Sequence, residues 1–248
     1  GKILPGAALV GAGCGSYELI TLKGLSEIRR AEVIVYDDLI DEHLLEFAQE
    51  SCELIYAGKR SGRHSKAQEE INELLVAKAL EGKYIVRLKG GDPYVFGRGG
   101  EEAIALKAHG IPVHEVPGVT SSIGLCGMAG IPVTHRGASR GFHVITGHTA
   151  DNLPPEIEEI RWKSYAKLDE TFVFLMGLKS IDMITEKLMR YGKLSDTPVA
   201  VIHGENTDGT YVKLVGTLSD IAAKVKEVDF PSPAIIVVGE VASLELTD

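Results

Sequence analysis

The stretch that decides the fold is YIVRLKGGDPYVFGRGGEE, residues 84–102. It begins with an almost continuous apolar run, which is typical of a strand buried in a parallel sheet. Five glycines follow between Lys89 and Glu102. This is more than a simple turn needs, and it indicates a backbone placed against a ligand in left-handed conformations. The stretch lacks a Gly-Lys-Ser/Thr ending, so it is not a phosphate-cradling P-loop. We predict a buried strand, a ligand-binding loop and a helix.

The same alternation of apolar strands and helices continues along the chain in both directions. Continuous apolar strands separated by helices predict an α/β fold with mostly parallel sheets. The predicted strands are Ala7–Val10, Val33–Tyr36, Leu54–Tyr56, Tyr84–Leu88, Val113–Val116, Phe142–Thr146, Thr171–Leu175, Val199–His203, Tyr211–Val215 and Ala234–Gly239.

Helices are predicted where apolar residues recur at helical spacing. Ser65 and Gln68 have the spacing of a capping box, and Thr217 is available to cap the last helix. Residues 149–170 lack strong periodicity and are expected to form a loop with a short helix. The predicted helices start near Leu22 and at Ser65, and cover Glu101–Ala108, Thr120–Gly130, Ile181–Tyr191 and Leu218–Val228.

A polar stretch at residues 134–141 separates two apolar segments and marks a domain boundary. We expect two α/β domains, residues 1–136 and 137–248. The active site is expected in the cleft between them, because such clefts commonly bind ligands.

Composition excludes several classes of function. A net charge of −9 over 248 residues argues against general nucleic-acid binding. No segment reaches the roughly 20 apolar residues that span a bilayer, and the start of the chain is not typical of a signal peptide, so a cytoplasmic location is expected. Three cysteines without a Cys-x-x-Cys pair, and scattered histidines, predict no metal site. The basic cluster at residues 59–64 suits an anionic small molecule.

The first glycine turn, residues 11–16, leaves an alternative open. It follows a strand and precedes a helix, as the dinucleotide-binding fingerprint does, and Asp37 ends the next strand. However, Ser16 stands where the fingerprint requires its third glycine. A nicotinamide-dependent oxidoreductase therefore stays an alternative from another class.

Sequence motifs along nearly the whole chain resemble the uroporphyrinogen-III C-methyltransferase family. The most specific of them is the block from Gly90 to Glu102. The chain departs from the family pattern at Cys14-Gly15-Ser16, where Pro-Gly-Asp is usual, and at Thr120-Ser121, where Thr-Ala is usual. The other matching segments are residues 18–24, 35–37, 58–60, 63–65, 68–72, 87–89, 117–120, 130–136, 146–148, 174–178, 198–200 and 232–239.

The resemblance implies two α/β domains with S-adenosylmethionine between them, and a tendency to form homodimers. The implied reaction methylates uroporphyrinogen III twice to give precorrin-2, for sirohaem or cobalamin, without a metal. Another methyltransferase of the same fold, acting on a later corrin precursor, ribosomal RNA or a diphthamide precursor, is the alternative. By motif position, the cofactor contacts would be Cys14, Gly90, Gly91, Asp92, Val95, Thr120, Ser121, Met176, Gly204 and Ala234.

The resemblance also assigns the chemistry to two residues. Asp37 would accept a proton and Lys59 would donate one. The substrate is a polycarboxylate, and arginine side chains bind carboxylates through paired hydrogen bonds. The candidates for substrate binding are Arg60, Arg63, Arg98, Arg136 and Arg140.

Overall fold

The computed structural model describes residues 5–58, 67–147, 153–204 and 209–247. The chain forms two compact units, the first ending at Thr120 and the second beginning at Ser121. The polar stretch predicted as a domain boundary, residues 134–141, lies inside the second unit. Leu125 and Ile131 precede that stretch and belong to the second unit's core. This packing explains why the second unit already begins at Ser121.

The first unit is built on a parallel sheet of five strands in the order β3-β2-β4-β1-β5. Helices cover both faces, so the three central strands are buried and largely apolar, whereas the two edge strands are only partly buried. One face packs under α2 and α3, and the other packs against α1 and a short 3-10 helix. The elements are β1 (Ala7–Gly11), α1 (Leu22–Arg30), β2 (Val33–Tyr36), the 3-10 helix Glu42–Phe47, β3 (Glu53–Tyr56), α2 (Gln68–Leu80), β4 (Ile85–Lys89), α3 (Gly99–Ala108) and β5 (Val113–Val116).

The second unit has a mixed five-stranded sheet in the order β6-β7-β10-β8-β9. β6 and β7 are parallel, whereas β10 is antiparallel to both β7 and β8, and β9 is antiparallel to β8. The elements are α4 (Ser121–Met128), β6 (Phe142–Thr146), α5 (Pro155–Lys167), β7 (Thr171–Leu175), α6 (Ile181–Arg190), β8 (Pro198–His203), β9 (Val212–Thr217), α7 (Ile221–Glu227) and β10 (Ile235–Val238).

The α/β class and the positions of the predicted strands are confirmed, but the expectation of mostly parallel strands is wrong for the second sheet. β8 and β9 are joined by only a short segment without a helix within the described residues. Parallel neighbours need a crossover of a dozen or more residues, so such a connection gives an antiparallel pair.

Three local predictions are also corrected. Residues 149–170 contain a full helix, α5, rather than a short one. Thr217 does not cap α7, because Asp220 occupies the N-cap and its carboxylate instead accepts a hydrogen bond from the Thr217 backbone N–H. α2 begins at Gln68 with Ala67 at the N-cap and no side-chain cap, while Ser65 lies outside the described residues.

Candidate active site

The candidate site of the first unit lies at the edge where its strands end. All five strands are parallel, so the loops that follow them gather at one edge, and ligands of open α/β sheets bind there. These loops carry Cys14 after β1, Asp37 after β2, the Gly90-Gly91-Asp92 loop after β4 and Thr120 after β5. The sheet therefore brings together candidates that are up to about a hundred residues apart in sequence.

Glycines make the closest backbone approach at this edge. Gly13 and Gly91 exchange two backbone hydrogen bonds, of 3.2 and 2.8 Å. A Cβ added to Gly11 would lie 2.6 Å from the Gly118 Cα and 2.6 Å from the Gly91 carbonyl oxygen. Three loops thus touch through bare backbone, which no residue with a side chain allows without displacement. Cys14 follows Gly13 directly and is partly buried.

Asp92 links two of these loops. Its carboxylate accepts hydrogen bonds from the backbone N–H of Gly118 at 3.0 Å and of Tyr94 at 2.9 Å. The Asp92 carbonyl accepts a bond from Val95 N–H at 3.2 Å. Gly90 packs closely against the loop after β2: a Cβ added to Gly90 would lie 2.6 Å from the Leu39 Cβ. In this structure the Asp92 side chain holds the loops in place.

Glu115 lies next to Asp92, and its pKa is raised by burial, by the Asp92 charge and by their hydrogen bond. A raised pKa means that the folded state holds the proton more tightly than the unfolded chain. Stability from this group is therefore fully present below the ordinary glutamate pKa and is lost as the pH rises. We expect Glu115→Gln, which removes the charge, to raise the melting temperature at pH 8 by roughly 1–3 °C. At pH 4 the two proteins should melt together. Thermal unfolding at both pH values checks this, and an equal difference at both would contradict it.

Asp37 lies at the end of β2 with a partly exposed carboxylate. One oxygen accepts a hydrogen bond from Leu39 N–H at 3.0 Å. The other lies 3.7 Å from Arg87 Nη2. The neighbouring Asp38 accepts a hydrogen bond from the Tyr56 hydroxyl at the end of β3. Lys59, Arg60 and Arg63, which follow β3, lie outside the described residues.

A buried charged network beneath this edge was not predicted. Arg87 and Lys89 of β4 both contact the Glu102 carboxylate of α3, each at 2.8 Å. Burial and the Arg87 charge lower the pKa of Lys89. Burial alone would raise the pKa of Glu102, but Arg87 and Lys89 outweigh it and lower that pKa. The sequence signal was two cations, two positions apart, at the end of an apolar strand.

The turn after β1 is fastened by a residue outside it. The buried carboxylate of Asp41 accepts hydrogen bonds from Tyr17 N–H at 2.9 Å and from His43 N–H at 3.0 Å. It also lies 2.6 Å from His43 Nδ1. Burial alone would raise the pKa of Asp41, but the hydrogen bonds from His43 and Tyr17 lower it. The pKa of His43 is raised by its bond to Asp41.

The described substrate-binding candidates lie in different places. Arg98 has a left-handed backbone at the start of α3, and its exposed side chain is 3.0 Å from Glu101. Arg136 and Arg140 are exposed in the turn before β6. Between them, Ser139 donates to Gly141 O and accepts from Thr171, at the amino ends of β6 and β7. These two arginines are thus not grouped with the second unit's cofactor candidates.

Those candidates, Met176, Gly204 and Ala234, meet at the opposite edge of the second sheet. The register that pairs Ile236 with Phe174 and Ile235 with Ile202 places Ala234 opposite Met176 on one side and opposite His203, the residue before Gly204, on the other. Met176 is half exposed and has a φ of 55°, which is uncommon for a residue with a side chain and is often found at functional sites. Gly204 packs against Leu125 of α4, the helix that starts with Ser121.

Two classes of feature were not found in the part of the chain that the structure describes. No group of three or more His, Cys, Asp or Glu residues there could hold a metal ion. No helix there is both long enough and apolar enough to cross a membrane.

Known proteins resemble this chain over nearly its full length. The family profile described as Tetrapyrrole (Corrin/Porphyrin) Methylases matches residues 8–222. A uroporphyrinogen-III C-methyltransferase of Methanocaldococcus jannaschii is 49% identical over 98% of both chains. A siroheme synthase of Actinobacillus pleuropneumoniae is 43% identical over 98% of this chain but 49% of its own length.

A solved structure agrees with these sequence matches. The uroporphyrin-III C-methyltransferase of Thermus thermophilus, crystallised with S-adenosyl homocysteine, superposes with a TM-score of 0.78 at 37% identity. The superposition covers 95% of this chain and 97% of the other. These matches favour a methyltransferase over the nicotinamide-dependent oxidoreductase that the first glycine turn left open. The chain belongs to the tetrapyrrole methylase family.

Proposed function

We propose that this chain transfers methyl groups from S-adenosylmethionine to two ring carbons of uroporphyrinogen III, giving precorrin-2. The observation that carries the proposal is the glycine-lined edge of the first sheet, where bare backbone from three loops converges at the edge that also carries Asp37. A relative that is 49% identical over 98% of both chains has this activity in its name.

The residues at this edge fit S-adenosylmethionine. A nucleoside joined to an amino acid offers many hydrogen-bonding groups, and it needs polar backbone atoms that no side chain covers. Gly90 and Gly91 carry no side chain that would keep a ligand from this backbone, and Cys14 and Thr120 lie on the neighbouring loops at the same edge. Asp92 supports these loops, with Val95 bonded to its carbonyl. Ser121, Met176, Gly204 and Ala234 stay our further candidates for contacts with the cofactor.

When bound, the sulfonium of S-adenosylmethionine supplies an electrophilic methyl group. A carbon–carbon bond to the ring then forms as the carbon–sulfur bond breaks, and the electron pair stays on sulfur. The methylated ring is cationic until it loses a proton, so the protein must orient the ring and accept that proton. Asp37 is the proposed acceptor, because its carboxylate is partly exposed at the edge where the loops meet. Lys59 is the proposed donor.

Binding of the polycarboxylate substrate is assigned to arginines. We propose that Arg60, Arg63, Arg98, Arg136 and Arg140 contribute. Arg98 is supported by its exposed side chain directly after the glycine loop. A local positive site is required because the chain as a whole carries a charge of −9 and repels an anion.

Partners and location complete the proposal. We propose a cytoplasmic homodimer that binds neither nucleic acid nor membranes. The net charge of −9 supports the part of this proposal that concerns nucleic acid. The likeness to a siroheme synthase supports a role in supplying sirohaem, and cobalamin would draw on the same product.

The experiment is methylation without oxygen. Purified protein is given freshly made uroporphyrinogen III and S-adenosylmethionine, and the expected result is a doubly methylated product with the absorbance of precorrin-2, heavier than the substrate by two CH2 units because each added methyl group is balanced by a lost proton. A folded protein that binds S-adenosylhomocysteine but yields no methylated uroporphyrinogen would contradict the proposal. It would instead point to another substrate of the same fold.

A further inference from the structure

Two cations and a carboxylate are buried together beneath the glycine-lined edge. Arg87 and Lys89 are two positions apart on β4, so their side chains share one face of the sheet. Glu102 of α3 lies over that face with its side chain fully buried (0% exposed). One Glu102 oxygen is 2.8 Å from Arg87 Nε and the other is 2.8 Å from Lys89 Nζ. Each oxygen of the Glu102 carboxylate is therefore within ion-pair distance of a buried cation.

Such a network is not what stability alone would select. Charged groups lose their hydration when they are buried, and apolar residues of similar volume often stabilise a core better. Leu9 and Val35, which flank Arg87 in the register of the sheet, are fully buried apolar residues on the neighbouring strands. The charges at this position call for a further role.

The orientation of Arg87 indicates that role. Its guanidinium is planar, so fixing one nitrogen fixes the direction of the others. Glu102 holds Nε, while Nη2 lies 3.7 Å from the Asp37 carboxylate. Glu102 in turn is held by Lys89 from its other oxygen. The arrangement forms a chain from Lys89 through Glu102 and Arg87 to Asp37.

We infer that Glu102 is a positioning residue for proton acceptance, acting through Arg87 on Asp37. Glu102 sets the rotation of the Arg87 guanidinium, and the guanidinium holds the Asp37 carboxylate towards the methylated ring. Asp37 then accepts the proton that the ring releases. This inference rests on the proposed function, because it assumes that Asp37 is the acceptor. It goes beyond the proposed function by assigning a role in catalysis to Glu102, a residue that does not touch the substrate.

The test is a double-mutant cycle between Glu102→Gln and Asp37→Asn. We expect Glu102→Gln alone to lower kcat by about 10- to 100-fold, less than the roughly 10²- to 10⁴-fold effect of removing the proton-transfer group itself, because Asp37 remains present. KM for S-adenosylmethionine and the dissociation constant of S-adenosylhomocysteine, measured by calorimetry, should stay within about twofold. In the Asp37→Asn background, Glu102→Gln should cause little further loss, since the group it positions is already absent.

The matched control is Glu27→Gln. Glu27 is also a buried carboxylate of the first unit and also binds an arginine, Arg30, but it contacts Tyr84 and His114 near the strands' amino ends. The Glu27→Gln substitution should lower the stability of the protein. It should leave kcat unchanged when introduced into the native chain and cause no further change in kcat when introduced into Asp37→Asn. Arg87→Lys keeps every charge but loses the planar guanidinium, whose Nε contacts Glu102 and whose Nη2 lies 3.7 Å from Asp37, so it provides a second variant should Glu102→Gln not fold. It should show the same non-additivity.

The outcomes separate the inference from the proposed function. The inference would be overturned if Glu102→Gln lowered kcat by the same factor in the native chain and in the Asp37→Asn background. Arg87→Lys takes the place of Glu102→Gln in this comparison if Glu102→Gln does not fold. Methylation by the native chain would be unaffected by either result. A loss of activity matched by weaker S-adenosylhomocysteine binding would overturn the inference too, because that is what a structural role predicts. Absence of methylation by the native chain would instead refute the proposed function, and the inference with it.

Discussion

Asp37→Asn should lower kcat for methylation by about 10²- to 10⁴-fold, the range for removal of a general base. Asparagine has nearly the same shape and can keep the contact with Leu39 N–H, which now binds one Asp37 oxygen at 3.0 Å. It cannot accept the proton that the methylated ring releases, so the loss should appear in turnover. The measurement is steady-state kinetics without oxygen, together with calorimetric binding of S-adenosylhomocysteine, which should change by less than about threefold.

A suitable control is Glu50→Gln, which removes a carboxylate from an exposed position before β3. It should leave both kcat and binding unchanged. Should Asp37→Asn weaken S-adenosylhomocysteine binding as strongly as it slows turnover, the carboxylate would belong to cofactor binding rather than to proton transfer. Full activity of Asp37→Asn would exclude it from both.

Gly118→Ala should have the second large effect. A Cβ at Gly118 would collide with the Gly91 carbonyl oxygen and lie 2.7 Å from the Gly11 Cα. Both obstacles are backbone, so the loops after β4 and β5 must move apart, and overpacking of this kind costs about 1–3 kcal/mol. We expect the melting temperature to fall by roughly 3–10 °C. Binding of S-adenosylhomocysteine should weaken by about tenfold or more, equivalent to about 1.4 kcal/mol.

Gly100→Ala makes the comparison specific. Gly100 belongs to the first turn of α3, and among the described residues nothing lies within 4 Å of an added Cβ. The same chemical change there should leave the melting temperature and the binding of S-adenosylhomocysteine nearly unaltered. Calorimetry and thermal unfolding of both variants decide the matter. Unchanged binding in Gly118→Ala would mean that the contact of the three loops serves the fold alone.

Strand positions in the first unit could be predicted because the central strands β1, β2 and β4 are largely apolar runs bounded by glycine or polar residues. Parallel order then followed from the intervening helices. The second sheet could not be predicted in the same way, since strand direction depends on the connection rather than on composition. Ile235–Val238 has the apolar composition of a parallel strand and yet is antiparallel to both neighbours.

The site was only partly accessible from sequence. Motif positions placed Asp37 and Gly91 on loops that the fold does bring to one edge. The contact of Gly11 with Gly118 depends on strand order, which joins β1 to β5 across more than a hundred residues. The partnership of Glu102 with Arg87 depends on how α3 lies on the sheet. Residue type alone gave no reason to separate Glu102 from the exposed Glu101 beside it.

The Asp41 carboxylate has a consequence for how this protein can change over evolutionary time. The turn after β1 is tied down at Gly13 by Gly91 and at Tyr17 by Asp41. The turn therefore does not depend on Cys14 and Ser16 alone for its anchoring. Exchange at these two positions, where the family usually has Pro and Asp, can proceed without dismantling the turn, whereas Gly15 between them has a φ of 74° that favours glycine. Substitution of Asp41 would disrupt the turn, since its carboxylate accepts hydrogen bonds both from Tyr17 N–H in the turn after β1 and from His43 N–H in the segment after β2.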